Sequence, residues 1–251
     1  MTKPLVTELA LERLLTTMHC AHMCRQAASS TKCPITFVTL EVLLTPVHRA
    51  HISAARAVSK VLHGAPVHLL PNAVPPHRPQ PMADGEQRLA MLRLACKRYP
   101  ELVVDDWELR QDGPSYSLNT LRHFRQLNPG SPLVFMIGAD SFNSLHLWHQ
   151  WQDYTTLCHL AVVPRPDCAL APDQVQAAFP ESDAEQLIRQ PFGLRLMLKR
   201  PFLDVSATAI REALEKKGDC PALDPAVSAH IRRQHLYNVA TLNSSTNHEA
   251  P

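Results

Sequence analysis

The chain has 251 residues, with 25 Lys+Arg against 23 Asp+Glu and a formal charge of +2, a balance that gives no reason to expect a nucleic-acid partner. No apolar stretch approaches the roughly 18 residues of a membrane span, while 45% hydrophobic residues can bury the core of one α/β domain. Seven cysteines without a CxxC pair argue against a disulfide framework, and Glu8 and Glu12 within the most apolar part of the N-terminus argue against a targeting peptide, so the cytoplasm is the expected compartment.

In chain order, residues 1–34 read as an atypical N-terminal extension with helix-favouring leucines, ending in Ser, Thr and Lys before Pro34. It holds His19, Cys20, His22, Cys24 and Cys33, whose spacing fits no common zinc finger. Short apolar runs follow at Ile35–Leu40, Val67–Leu70, Leu102–Val104, Leu133–Ile137, Leu160–Val163 and Leu194–Leu198. Each has strand length and is bounded by Pro, Gly or Asp. Between them lie apolar stripes of helical period: Ile52, Ala55, Val58 and Leu62; Leu89, Leu92 and Cys96; Leu118, Leu121 and Phe124. Strands alternating with such helices predict βαβ units and a mostly parallel sheet over residues 35–238. A polar tail, 239–251, is expected to be disordered.

Ligands of such folds sit at the carboxyl ends of the strands, beside helix N-termini. Three stretches fall there. In the first, Pro46-Val47-His48-Arg49-Ala50-His51 opens a helix, and histidines three apart can face one way and hold an anion. The alternative is two polar residues at a loop and cap. In the second, Gly138-Ala139-Asp140 ends an apolar strand: small residues permit close backbone approach, and Asp140 can accept from a hydroxyl or cap a helix. Trp148 and Trp151 follow, either as core packing or as a stacking surface for a flat ring. In the third, Ser206 or Thr208 can cap a helix with Arg211 on its first turn, which suits a phosphate but describes many capped helices. A stiff basic loop, Pro71–Pro79, and a turn, Gly113–Ser117, complete the set; Ser115 and Ser117 can cap the helix after that turn or offer donors to a carboxylate.

Together, Pro46–His51, Pro75-Pro76-His77-Arg78, Gly113–Ser117, Ile137–Asp140 with Trp148, Ser206–Arg211 and the closing Ile231–Tyr237 resemble the bacterial nicotinate-nucleotide adenylyltransferases of the HxGH nucleotidyltransferase superfamily, in that family's order from about Pro46 to Asn238. The resemblance implies a Rossmann-like nucleotidyltransferase fold with helices on both sheet faces. It implies transfer of AMP from ATP to nicotinate mononucleotide, giving deamido-NAD and pyrophosphate, with Mg²⁺ arriving on ATP. By resemblance, His48, His51 and Arg211 are catalytic. ATP is bound by His48, His51, Gly138, Asp140, Ser206, Thr208 and Arg211. Nicotinate mononucleotide is bound by His77, Arg78, Tyr116, Ser117 and Trp148. A homo-oligomer is left open.

The chain departs from the family where Gly-Gly-Thr-Phe-Asp precedes the Pro-Val-His. Here Glu41-Val42-Leu43-Leu44-Thr45 stands, and Ala50 replaces the glycine between the histidines. A carboxylate beside a triphosphate repels it, and Val resists φ > 0. A nucleotide-binding remnant of the family is therefore the alternative reading. Codons explain the departure: Leu40–Thr45 can be written TTG GAG GTA CTT TTG ACC, which read from its third base gives Gly-Gly-Thr-Phe-Asp. Residues up to about Thr45 are thus expected to come from a shifted reading frame, which also accounts for Gly64 being the first glycine.

Overall fold

The computed structural model describes residues 46–73, 82–113, 115–165, 168, 170–199 and 205–239, and the backbone of 37–42. Six strands, β1 Phe37–Val42, β2 Val67–Pro71, β3 Leu102–Val104, β4 Leu133–Gly138, β5 His159–Val163 and β6 Arg195–Met197, pair in parallel in the order β3-β2-β1-β4-β5-β6. That is the doubly wound order, in which the chain reverses its direction of travel between β1 and β4 and a crevice opens at their carboxyl ends.

The helices that cover the sheet are α1 Arg49–Val61, α2 Gly85–Cys96, α3 Ser117–Leu127, α4 Ala139–Asn143, α5 Asp173–Ala178, α6 Ala184–Leu187, α7 Ala207–Lys217 and α8 Pro225–Arg233. Period-two alternation sends neighbouring strand residues to opposite faces. Val134 and Met136 of β4 enter a core with Val58, Leu92, Ile210, Leu214 and Ile231 from α1, α2, α7 and α8. Leu133, Phe135 and Ile137 enter a second core with Leu121 and Phe124 of α3, Tyr154 and Val175. All three predicted helical stripes are buried, Val58, Leu92 and Leu121 fully.

Only Leu102–Val104 matches its run to the residue; β2, β4, β5 and β6 differ by a single residue at one or both ends, and β1 departs further. Ile35–Leu40 is the expected strand; Ile35 and Thr36 lie outside the described residues, and the described ladder continues past Leu40 to Val42, with Glu41 opposite Leu70 and Val42 opposite Pro71. No glycine at 41 or 42 releases the backbone from extended geometry, and β-branched Val42 favours it. The extra residues carry the strand through positions where the family has its two glycines.

Candidate active site

α1 starts shortly after β1, the strand that pairs with β4 on one side and β2 on the other. His48 is the N-cap of α1, with extended backbone. The His48 backbone N–H donates to His51 Nδ1 at 3.4 Å, and the His51 N–H donates to the His48 carbonyl at 3.0 Å. The two rings stack, 3.7 Å between centroids and 25° between planes. The spacing of three thus puts both imidazoles on one side of the first turn, as the sequence suggested. His48 is 5% exposed, and its Nδ1 has no hydrogen-bond partner among the described residues. Burial, and then the nearby Arg165 cation, push the His48 pKa down to about 4; burial, the His48 charge and Arg165 push His51 well below the ordinary histidine value. Both rings are therefore neutral at pH 7 and act as hydrogen-bonding groups rather than fixed cations. The Arg49 N–H ties this helix start to the Ala222 carbonyl at 2.9 Å.

The neighbouring strand β4 ends at Gly138, which is the N-cap of α4. Asp140 lies inside that helix and is not its cap; its carboxylate accepts from Arg165 Nε at 2.9 Å, with both side chains more than half exposed. A Cβ on Gly138 would stand 2.5 Å from the Asp140 carboxylate oxygen, so the small residue is needed for this close approach. Arg165, just beyond β5, thus links Asp140 to the field felt by both histidines.

The third stretch behaves differently from its reading in one respect. Ser206 caps α7, accepting from the Ala209 N–H at 3.1 Å. Thr208 does not cap; its hydroxyl accepts from Arg211 Nη2 at 3.1 Å. Arg211 is the fifth residue of α7 and sits on its second turn, not its first. Close by, the Tyr237 hydroxyl is buried without a partner among the described residues. Burial pushes that phenol's pKa up, against the opposing charges of Arg88 and Arg211.

At the start of α3, Tyr116 is the N-cap and Ser117 the first residue. The Tyr116 ring lies 5.1 Å from that of His149. Beside it Trp148 is half-buried, its ring edge-on to Phe135 at 6.4 Å and Tyr154 at 5.9 Å, so part of the indole is committed to the core. Trp151 packs against the same core. Ser115 neither caps α3 nor keeps a free donor, because its hydroxyl donates to the buried Glu108 carboxylate. A cleft of about 330 Å³ runs along this region, lined by Trp107, Glu108, Tyr116, Asn119 and His123 among others. His77, Arg78, Leu43–Thr45 and the His/Cys group at 19–33 lie outside the described residues.

Residues 45–213 match the family model Cytidylyltransferase-like. The chain is 40% identical over 188 residues to a protein named "Probable nicotinate-nucleotide adenylyltransferase" in Idiomarina loihiensis, covering 73% of this chain and 90% of that one. It is 43% identical over 178 residues to a protein of the same name in Serratia proteamaculans, covering 68% and 81%. The chain belongs to the nicotinate-nucleotide adenylyltransferase family. The fold agrees: the Plasmodium falciparum nicotinic acid mononucleotide adenylyltransferase complexed with NaAD superposes with a TM-score of 0.66 over 82% of this chain and 98% of that one, at 13% identity.

The family match opens at Thr45, directly before Pro46, where the resemblance to nicotinate-nucleotide adenylyltransferases begins. Arg165 and Glu108 were not legible as site residues. Arg165 stands in a Pro-Arg-Pro loop without periodicity; its only signal was its place just after an apolar strand. Glu108 looks like one acidic residue in a charged stretch, yet it is 2% exposed.

Proposed function

We propose that the chain transfers AMP from ATP to the 5′-phosphate of nicotinate mononucleotide, with the phosphates held at the β1–β4 crevice. A nicotinate mononucleotide phosphate oxygen attacks the α-phosphorus of ATP in line. The new P–O bond forms as the bond to the bridging oxygen breaks, and pyrophosphate leaves. Such transfer needs positioning and charge neutralisation more than covalent chemistry. The observation that carries the reading is the stacked His48–His51 pair at the start of α1, whose rings both feel the Arg165 cation that is ion-paired with Asp140 after β4, in a chain whose family match spans 45–213.

In this reading His48 and His51 offer N–H groups to ATP phosphate oxygens and stabilise charge developing in transfer. Ser206, Thr208 and Arg211 hold the ATP phosphates at the start of α7, with Thr208 bonded to the Arg211 guanidinium. Gly138 and Asp140 take the nucleotide portion. The exposed part of Trp148 stacks on the pyridine ring, and Tyr116 and Ser117 face its carboxylate. His77 and Arg78 complete the mononucleotide side. Among the described residues no three His, Cys, Asp or Glu side chains converge as a metal site. Mg²⁺ would arrive on ATP, where it would neutralise charge on the phosphates. Residues 35–238 form the catalytic domain, and the segment up to about Thr45 derives from a shifted frame.

Pyrophosphate release with ATP, Mg²⁺ and nicotinate mononucleotide tests this. Two proteins are compared: the chain as written, and one carrying Glu41→Gly, Val42→Gly, Leu43→Thr, Leu44→Phe and Thr45→Asp. Turnover is expected, faster in the second. Absence of release from both folded proteins would sink the reading.

A further inference from the structure

Two oppositely charged side chains are buried near the mononucleotide side of the proposed site without touching each other. Arg88 of α2 is 1% exposed, and Glu108 is 2% exposed. Buried charges need close partners. Arg88 donates to the backbone carbonyls of Ala83 at 3.2 Å, Asn72 at 2.5 Å and Ala73 at 3.2 Å. Glu108 accepts from the Asn72 amide Nδ2 at 3.4 Å, from Thr120 Oγ1 at 2.8 Å and from the Ser115 hydroxyl.

Asn72 therefore bridges the two charges, giving its carbonyl to the cation and its side-chain amide to the anion. It is also the first residue after β2. Ser115 and Thr120 flank Tyr116 and Ser117. One bridged charge pair thus ties the end of β2 to the turn that carries Tyr116 and Ser117, assigned above to nicotinate mononucleotide; among the described residues its hydrogen bonds do not reach the histidine pair or α7, and Arg88 meets the Arg211 side only through the charge of Tyr237.

We infer that the Arg88–Asn72–Glu108 bridge is a positioning device for the mononucleotide half of the site. It acts through the segments it holds and touches no substrate. The inference rests on the function proposed above. A device of this kind sets where one substrate sits and leaves the other substrate's contacts alone, so its loss should be selective.

The test compares Thr120→Val, which removes one donor to Glu108 at nearly constant volume, with Thr120→Ser, which keeps the hydroxyl. Glu108→Gln is the second perturbation. KM for nicotinate mononucleotide is expected to rise roughly five- to tenfold in Thr120→Val and Glu108→Gln, with KM for ATP within about twofold and Thr120→Ser close to the parent. Amide hydrogen exchange is measured on the same proteins without substrate. Residues 72–73 and 115–119 are expected to lose protection together. Equal rises in both KM values, or unchanged KM values in an active parent, overturn the inference and leave the proposed function standing. A parent without turnover counts against the proposed function. The inference then stands or falls on exchange: loosening of 115–119 alone overturns it.

Discussion

Acidification should destabilise this protein through His48, by an amount that follows from its burial. The ordinary histidine pKa is 6.5, and His48 in the folded chain is held down to about 4. Between these values the unfolded chain binds a proton that the native one refuses. Stability is therefore fully present above about pH 6.5 and is lost as pH falls toward 4. At about 1.36 kcal/mol per pKa unit, the loss from this group is about 2 kcal/mol between pH 7 and pH 5, approaching roughly 3 kcal/mol below pH 4. His51, shifted in the same direction, adds to it. Urea unfolding at pH 7, 6 and 5 measures the effect, with His48→Asn as the comparison. Asn keeps a side chain suited to the N-cap position. The variant should lose about 2 kcal/mol less than the parent over that range. Parallel losses in the two proteins would show that His48 is not a buried neutral ring, and the account of the helix start would fail with it.

Further expectations follow from the same geometry. Phosphates arriving beside two neutral imidazoles should favour their charged forms, so ATP binding is expected to take up protons near pH 6; calorimetry in two buffers of different ionisation heat would show no difference if this is wrong. Gly138→Ala should change stability by less than about 1 kcal/mol, because the added methyl meets only the ends of exposed side chains. By displacing the Asp140–Arg165 pair it should lower kcat/KM at least roughly tenfold, read by melting and pyrophosphate release. Trp148→Ala should raise KM for the mononucleotide, while Trp148→Phe keeps most of the stacking; equal KM values in Ala and Phe variants would remove the stacking role. Arg88→Met leaves three backbone carbonyls without their donor and should cost about 2–4 kcal/mol in urea unfolding.

The fold was largely legible because it depends on periodicity, which one sequence displays. Leu102–Val104 is a strand to the residue, and the stripes at Ile52, Leu89 and Leu118 all face core. Position after a strand was legible too: Gly138 ends β4 and His48 caps the helix that follows β1. What escaped were residues whose roles depend on three-dimensional neighbours. Arg165 meets Asp140 only because β4 and β5 are adjacent. Glu108 is recognisable as buried only once Asn72, Ser115 and Thr120 converge on it. Ser115 is open in the sequence to capping α3 or donating to a carboxylate, because sequence cannot show that its hydroxyl is committed to Glu108.

The extended end of β1 connects the codon argument to a physical observable. If Glu41–Thr45 come from a shifted frame, genomic DNA around codons 40–46 should contain an overlapping frame encoding Gly-Gly-Thr-Phe-Asp. A DNA sequence without that frame removes the explanation. The same idea makes a structural statement that needs no DNA. In the chain as written, the β1 ladder reaches Val42 opposite Pro71. Two glycines there would lower strand propensity and open the left-handed region, so the ladder should end near Leu40 and the backbone should turn toward the His48–His51 pair. Amide exchange at positions 41 and 42 should then be faster in the restored chain than in the chain as written. Equal protection in both would mean that pairing with β2, rather than side-chain identity, sets the strand's end, and the missing glycines would no longer account for the difference in turnover expected between the two proteins.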